Sequence, residues 1–265
     1  MSGANEPYYS YPIQVPALKM EEIKRLLAGS FGEELHRLVA SYMTFIAFGT
    51  VGSGDELPNF QSATCFFMKT PKRIFAVTAK HVVEGFISAR KRDPATICQI
   101  GNLSIDLEER VIALGRAADI ATFDINEEEL IKLKKNPITL WPPHPPEFHD
   151  TGVLLAGYPA AAITADDLST RCFGIYAATG IAQNVTDRQL SCKIEWENTQ
   201  QSTLGTLPPK NYDTGGMSGG PVLTIRGNTL MSFPLAGVIS EGRSATDTII
   251  AERADCILAD GLIRS

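Results

Sequence analysis

The sequence is poor in the residues that mark several protein classes. Its five cysteines, Cys65, Cys98, Cys172, Cys192 and Cys256, stand far apart and form no C-x-x-C pair, which argues against a zinc ribbon or a dithiol redox centre. Their odd number predicts reduced thiols, with pairing of Cys172 and Cys192 across a hairpin as the alternative. No apolar run has the length of a membrane span; the longest, Gly152 to Ile163, is interrupted by Gly157 and Pro159. A membrane is therefore not an expected partner. The N-terminus, MSGANEPYYSYPIQ, has no basic segment followed by an apolar one, so the expected location is the cytoplasm. Basic residues are also in deficit, with a formal net charge of -6, and a nucleic-acid partner, which needs clustered cations against phosphates, is not expected. Only four histidines occur, His36, His81, His144 and His149, without paired spacing, so neither a metal nor another cofactor is predicted.

What remains is an ordinary globular composition, 44% hydrophobic and 20% charged over 265 residues, enough for one large β domain or two lobes. Residues 1–17 are rich in Tyr and Pro and read as an extended arm. Helical spacing follows in 20–28 and 31–40, with Ser30 and Glu33 as a capping box. These N-terminal helices are expected to cover one end of the core, or to offer a docking surface to a partner.

From residue 42 the pattern turns to short β-branched and aromatic runs. Tyr42 to Val51, Ala63 to Met68, Arg73 to Thr78, Leu103 to Leu107, Arg110 to Leu114 and Asp119 to Ile125 make a first set of strands. Asn126 to Lys135 is a helix with its own capping box, Asn126 and Glu129. Five prolines between 137 and 146 exclude a central strand and mark a linker. A second set follows: Gly152 to Ala156, Phe173 to Thr179, Gln189 to Trp196, Pro221 to Ile225, Leu235 to Ser240 and Thr248 to Ala251. A helix is expected to close the chain over Arg253 to Leu262.

Thr214-Gly-Gly-Met-Ser-Gly-Gly-Pro-Val222 is the most informative segment. Four glycines around Ser218 allow close backbone approach, so the loop is either a Gly-rich turn between strands or the presentation of a hydroxyl beside convergent N–H groups. Gly216 to Gly220 also fits G-x-S-x-G, but the hydrolases of that pattern place their histidine after the serine, and here no histidine follows Ser218. A base must come from upstream. His36 sits on a charged helix, and His144 and His149 lie by the linker. His81 instead follows the apolar strand Arg73 to Lys80 and opens a loop at its end, where a general base is useful. Asp119 stands in an apolar strand, a costly position unless its carboxylate accepts hydrogen bonds, and the imidazole N–H of His81 would supply one. Asp124 falls on the other strand face, and Asp150 is a weaker candidate.

These residues carry a resemblance to the trypsin/chymotrypsin-like serine proteases, bacterial members included. Thr78-Ala-Lys-His81 resembles T-A-x-H, Asp119-Ile-Ala121 resembles D-I-A, Gly216-Met-Ser-Gly-Gly-Pro221 resembles G-x-S-G-G-P, and Gly237-Val-Ile-Ser-Glu-Gly242 resembles the strand beside the specificity pocket. The likeness spans about residues 42 to 252. It implies a mainly β fold of two antiparallel six-stranded barrels, the first over about 41–135, a linker over 136–150 and the second over 151–252. It also implies a serine endopeptidase acting on protein or peptide substrates: His81 as base, Asp119 as its orienter, Ser218 as nucleophile, and the N–H groups of Gly216 and Ser218 as oxyanion hole. Tyr212 or Asp213 would lie near the pocket floor and Ser240, Glu241 and Gly242 on its wall, an acidic floor favouring a basic residue before the scissile bond. Met217 departs from the Asp that precedes the nucleophile in secreted trypsins, so their ammonium-dependent activation is not expected. The alternative is a silent module of the same fold that binds without turnover; an esterase using the same three residues is a further one.

Overall fold

Alternation of buried and partly exposed residues along Met43 to Thr50 makes a strand with one face in a core, and the other runs of the first half add to it. A computed structural model of the chain describes residues 30–50, 59–147, 151–165, 171–194, 213–227, 231–243 and 246–265. The N-terminal arm, the helix expected over 20–28, the Ser30 side chain of its capping box, His149, Asp150 and Tyr212 lie outside the described residues.

The first lobe is built from β1 (Met43–Thr50), β2 (Asn59–Lys69), β3 (Ile74–Thr78), β4 (Ile97–Ile100), β5 (Leu103–Ile105), β6 (Val111–Leu114) and β7 (Ala121–Asp124). They form one antiparallel seven-stranded sheet in the order β5-β4-β1-β2-β3-β7-β6. This corrects the expected six-stranded barrel. The two edge strands, β5 and β6, are joined through a helical turn, Leu107–Arg110, capped by Asp106 and held to neighbouring helices by the Arg90–Asp106 and Arg110–Glu129 ion pairs, so no ladder joins the edges.

Helices α1 (Ser30–Tyr42), α2 (Lys80–Arg92), α3 (the Leu107–Arg110 turn) and α4 (Glu127–Leu133) accompany the sheet. The α2 helix replaces the loop expected after Lys80. Two adjacent β-branched valines and Gly85 weaken its intrinsic propensity, but Val82, Val83 and Phe86 are all buried, and packing overrides propensity. Arg90, Lys91 and Arg92 complete its last turn, where cations suit the helix dipole. In α4 the capping box of Asn126 and Glu129 is formed as read from the sequence. Leu35 and Val39 of α1 are buried in the core, so α1 covers the end of the sheets.

The second lobe does close. Strands β8 (Thr151–Gly157), β11 (Tyr176–Val185), β12 (Gln189–Ile194), β15 (Thr248–Arg253), β14 (Leu235–Arg243) and β13 (Pro221–Thr224) follow one another round a six-stranded antiparallel barrel. A short hairpin, β9 (Ile163–Ala165) and β10 (Arg171–Phe173), stands apart from it. The closing helix expected over 253–262 is absent. Ala254–Cys256 is a single 3-10 turn, Ile257 bridges to Ile263, and Gly261 takes a left-handed φ of 83° that turns the chain back. That segment is pinned to the first lobe, because Thr122 donates to the Gly261 carbonyl at 2.6 Å.

The proline segment is bound to both lobes. Ile138 exchanges backbone bonds with Phe67 and Lys69 of β2, and His144 N–H donates to Leu235 at the start of β14. Between the lobes runs a continuous apolar layer that includes Met43, Phe66, Phe75 and Ile120 from one side and Leu154, Leu223 and Val238 from the other. Each such large side chain contributes about 1.5–3 kcal/mol of burial. The lobe boundary is therefore a core, and groups mounted across it hold a fixed relation.

All five cysteines are thiols. Cys192 lies inside the barrel while Cys172 sits on the exposed β10, so the alternative of a Cys172–Cys192 bridge is not realised. Burial pushes Cys98 and Cys192 up to about 12, and Cys65 is raised further. An aromatic disulfide reagent is thus expected to modify Cys172 in the native protein and to reach Cys65, Cys98 and Cys192 only on unfolding, a difference read by mass spectrometry.

Candidate active site

Strand β3 ends in Thr78 against the lobe boundary, and Ala79 starts α2 so that His81 falls in its first turn. Asp119 arrives from the opposite direction. It stands in the bend 116–119 ahead of β7, not within the strand as the apolar run implied, and the bend is closed by a bond from Gly115 N–H to the Ile120 carbonyl at 2.8 Å. The two side chains meet: His81 Nδ1 lies 2.7 Å from Asp119 Oδ2, and His81 backbone N–H donates to Oδ1 at 2.9 Å. One carboxylate thus fixes both the ring and the main chain that carries it.

The electrostatics follow from this contact. The hydrogen bond that His81 donates to Asp119 is the main reason His81 titrates above its ordinary 6.5; partial burial works against it, and the Asp119 and Glu84 charges add to it. Burial alone pushes the Asp119 carboxyl up, but the two His81 bonds and the nearby Lys80 charge outweigh it, and the net direction is downward. Such an arrangement holds the Nδ1–H tautomer and leaves Nε2 as the basic nitrogen.

Ser218 comes from the second lobe, on the loop between residue 213 and β13. Met217 is fully buried in the barrel core, against Gly157, which anchors the residue before Ser218 from the inside. Gly216 and Gly219 take left-handed φ values of 93° and 86°, the conformation that their lack of a Cβ permits. Thr64 of β2 then ties this loop to the first lobe. Its hydroxyl donates to the Gly216 carbonyl at 2.9 Å and accepts from Tyr158 N–H at 2.9 Å, while its own N–H donates to the Ser218 carbonyl at 2.9 Å. Sequence reasoning passed over Thr64. The available signal was a hydroxyl in the otherwise apolar Ala63 to Phe67 run, a position where an unpaired polar group is costly.

His81, Gly216 and Ser218 line one cleft together with Phe48, Phe60, Ala160 and Ile163. Ser218 Oγ donates to the Ser240 carbonyl at 3.3 Å. Among the described residues the N–H groups of Gly216 and Ser218 have no acceptor, whereas those of Met217, Gly219 and Gly220 are all satisfied. Two free donors beside a hydroxyl match what an oxyanion requires.

Of the residues expected around a specificity pocket, Tyr212 lies outside the described residues and the others have the following contacts. Asp213 is exposed and its carboxylate accepts from Gly215 N–H at 2.8 Å, so it shapes the loop entry and does not line the cleft. Glu241 is exposed and paired with Arg243. Gly242 lies so close to the Thr214 side chain that no Cβ fits there, and Ser240 contributes its carbonyl to Ser218. His36 and His144 lie away from the cleft, and Asp124 ends β7 in an ion pair with Arg73. No group of three or more His, Cys, Asp or Glu suited to a metal occurs among the described residues.

No protein-family model matches the chain, and no curated protein does. Solved structures of trypsin-like serine proteases are similar in fold over most of it. A thermostable serine protease, AL20, from an extremophilic microorganism matches with a TM-score of 0.45 and 13% identity, over 82% of this chain and 93% of its own. The serine protease domain of the Sesbania mosaic virus polyprotein matches with 0.45 and 15%, over 84% and 93%. A protease of M. tuberculosis in its active form matches with 0.46 and 13%, over 95% and 90%.

Proposed function

We propose that the chain is a serine endopeptidase that cleaves peptide bonds through an acyl-enzyme on Ser218. The reading rests chiefly on the 2.7 Å bond between His81 and Asp119 at the rim of the cleft that Ser218 shares. Ser218 Oγ turns from the Ser240 carbonyl toward His81 Nε2 and attacks the scissile carbonyl as the imidazole takes its proton. Asp119 stabilises the imidazolium, and His81 then returns the proton to the leaving amine. The Gly216 and Ser218 N–H groups receive the oxyanion, each worth about 2.7–4 kcal/mol in the transition state. Water repeats the sequence to release the acyl group.

One observation favours a second reading, a silent module of the same fold that binds peptides: Ser218 Oγ is bonded to a backbone carbonyl and not to His81. A fluorophosphonate probe separates the two, since its phosphorus is attacked only by an activated serine, with fluoride leaving. Labelling is expected at Ser218, and its rate should rise from about pH 5 to about pH 9 as His81 loses its proton. Because Asp119 raises His81, the inflection belongs above 6.5. No labelling of the native protein would sink the peptidase reading, and labelling without an inflection would remove His81 as the base.

A further inference from the structure

The cleft shared by His81 and Ser218 has a volume of about 550 Å³, enough for a large side chain with backbone on either side, and more of its side chains are apolar than polar. Phe48 and Val82 are buried there, and Phe60 and Ile163 stand half-buried. No Asp, Glu, Lys or Arg occurs among the described residues that line it. The apolar groups are held from both lobes. Phe48 packs edge-on against Phe86 of α2, with ring centroids 5.9 Å apart. Ile163 belongs to the β9–β10 hairpin and pairs in register with Phe173, whose ring stacks on Phe45 of β1 at 3.8 Å and meets Phe60 edge-on at 6.2 Å. The hairpin is thereby clamped to the first lobe, and Ile163 is fixed opposite Phe60.

The place of this cleft in the reaction follows from where the proton must go. A substrate carbonyl at Ser218 Oγ, with its oxygen on the Gly216 and Ser218 N–H groups, sends its acyl half one way and its amine half the other. The amine half has to pass His81, which returns the proton to its nitrogen. His81 and its neighbour Val82 line the cleft, whereas β14, which holds Ser218 Oγ through the Ser240 carbonyl, supplies none of the described residues that line it. The cleft is therefore the leaving side. It also suits the second half of the reaction, because once the amine has gone the same space admits water beside His81. The backbone of the leaving half has a track as well: β2 pairs with β1 along its length but with β3 only from Phe66 onward, so its edge over residues 60–63 is open beside the cleft. We propose that this cleft selects a large apolar side chain on the first residue after the scissile bond, with Phe60 and Ile163 as its specificity-determining walls. A charged side chain in that position would lose water without gaining an opposite charge, which sets the direction of the preference.

The proposal rests on the peptidase reading, and the two are tested apart. A fluorophosphonate loses only fluoride, so it puts no side chain on the leaving side and reports on Ser218 and His81 alone. Cleavage of a proteome-derived peptide mixture by the full chain, with the cut sites read by mass spectrometry, reports on the cleft. Phe, Leu and Met are expected after the scissile bond at the expense of Asp and Glu. In matched synthetic peptides, kcat/KM should favour Phe over Asp at that position by about 10- to 100-fold. Phe60→Ala should cut this ratio by about tenfold while fluorophosphonate labelling stays unchanged. Should Phe60→Ala not fold, Ser62→Asp places a carboxylate at a partly exposed position of the cleft, and Lys or Arg after the scissile bond should gain about tenfold relative to Phe. Because each ratio compares two peptides on one protein, a change in His81 basicity cancels. Labelling of Ser218 with a cleavage profile indifferent to that residue, with ratios that neither variant moves, or with no cleavage in the mixture overturns the proposal. The first two of these leave the peptidase reading standing, and absence of labelling overturns both.

Discussion

Replacing Ser218 by alanine is expected to lower peptide turnover by about 10⁶-fold, and His81→Ala by a similar factor. The double variant should lose little more, because in the proposed mechanism nucleophile and base act as one unit: without the base the Ser218 hydroxyl is a weak nucleophile, and without the hydroxyl the imidazole has no proton to take. Asp119→Asn tests the third member differently. The amide leaves the shape of the bend intact but presents an N–H where His81 Nδ1–H expects an oxygen, so the ring is held in the wrong tautomer and the loss should be about 10⁴-fold. Steady-state kinetics on a peptide mixture derived from a proteome check all of these and report the residue preference at the same time. Losses that multiply in the double variant would mean that Ser218 and His81 do not share a step.

The residues that were legible in the sequence are those whose chemistry conflicts with their surroundings. Asp119 stood out because a carboxylate beside Ile120 and Ala121 demands donors, and it finds them in His81. Ser218 stood out through its glycines, two of which adopt the left-handed φ that their placement requires. The second barrel was readable because its strands alternate or are wholly apolar between turns. The first lobe was read less well where tertiary contacts outweigh local preference. Val82 and Val83 look like strand or loop residues and become the buried face of a helix, and Leu107 to Arg110 becomes a helical turn that keeps two sheet edges apart. Thr64 was passed over for a related reason. It lies on a strand of one lobe and holds a loop of the other, and nothing within ten residues in sequence signals that meeting.

The Thr64 contacts have a wider consequence. Ser218 is tied to the first lobe through Thr64, so the first lobe holds a loop that belongs to the second. The geometry between His81 and Ser218 then depends on the boundary layer as a whole, and a rigid shift of one lobe would strain this tie. Substitutions within that layer are accordingly expected to act on activity and stability in parallel.

Gly219→Ala is the strongest single test of that coupling. Gly219 has a φ of 86°, and a Cβ there would run into the Thr64 carbonyl and the Thr78 hydroxyl and approach Ala79 N to 2.9 Å. Those three groups belong to β2, to the end of β3, the strand that delivers His81, and to the start of α2, so they are backbone and short side chains of a buried core and have little room to yield. Left-handed strain costs about 1–2 kcal/mol, and displacement of the packed backbone raises the total to about 4 kcal/mol or more. For a chain of this size that corresponds to a fall in Tm of roughly 8–16 °C. Because the displaced loop carries Ser218 away from the strand that leads to His81, fluorophosphonate labelling should drop by at least about 10²-fold even well below the new Tm. Gly85→Ala is the matched control. Its Cβ would meet the Phe48 ring edge at 3.2 Å and Gln61 Oε1 at 3.7 Å, both side chains, and the helix gains about 1 kcal/mol from losing a glycine. A Gly219→Ala protein as stable and as reactive as the Gly85→Ala protein would mean that the nucleophile loop is not held against the His81 strand as described.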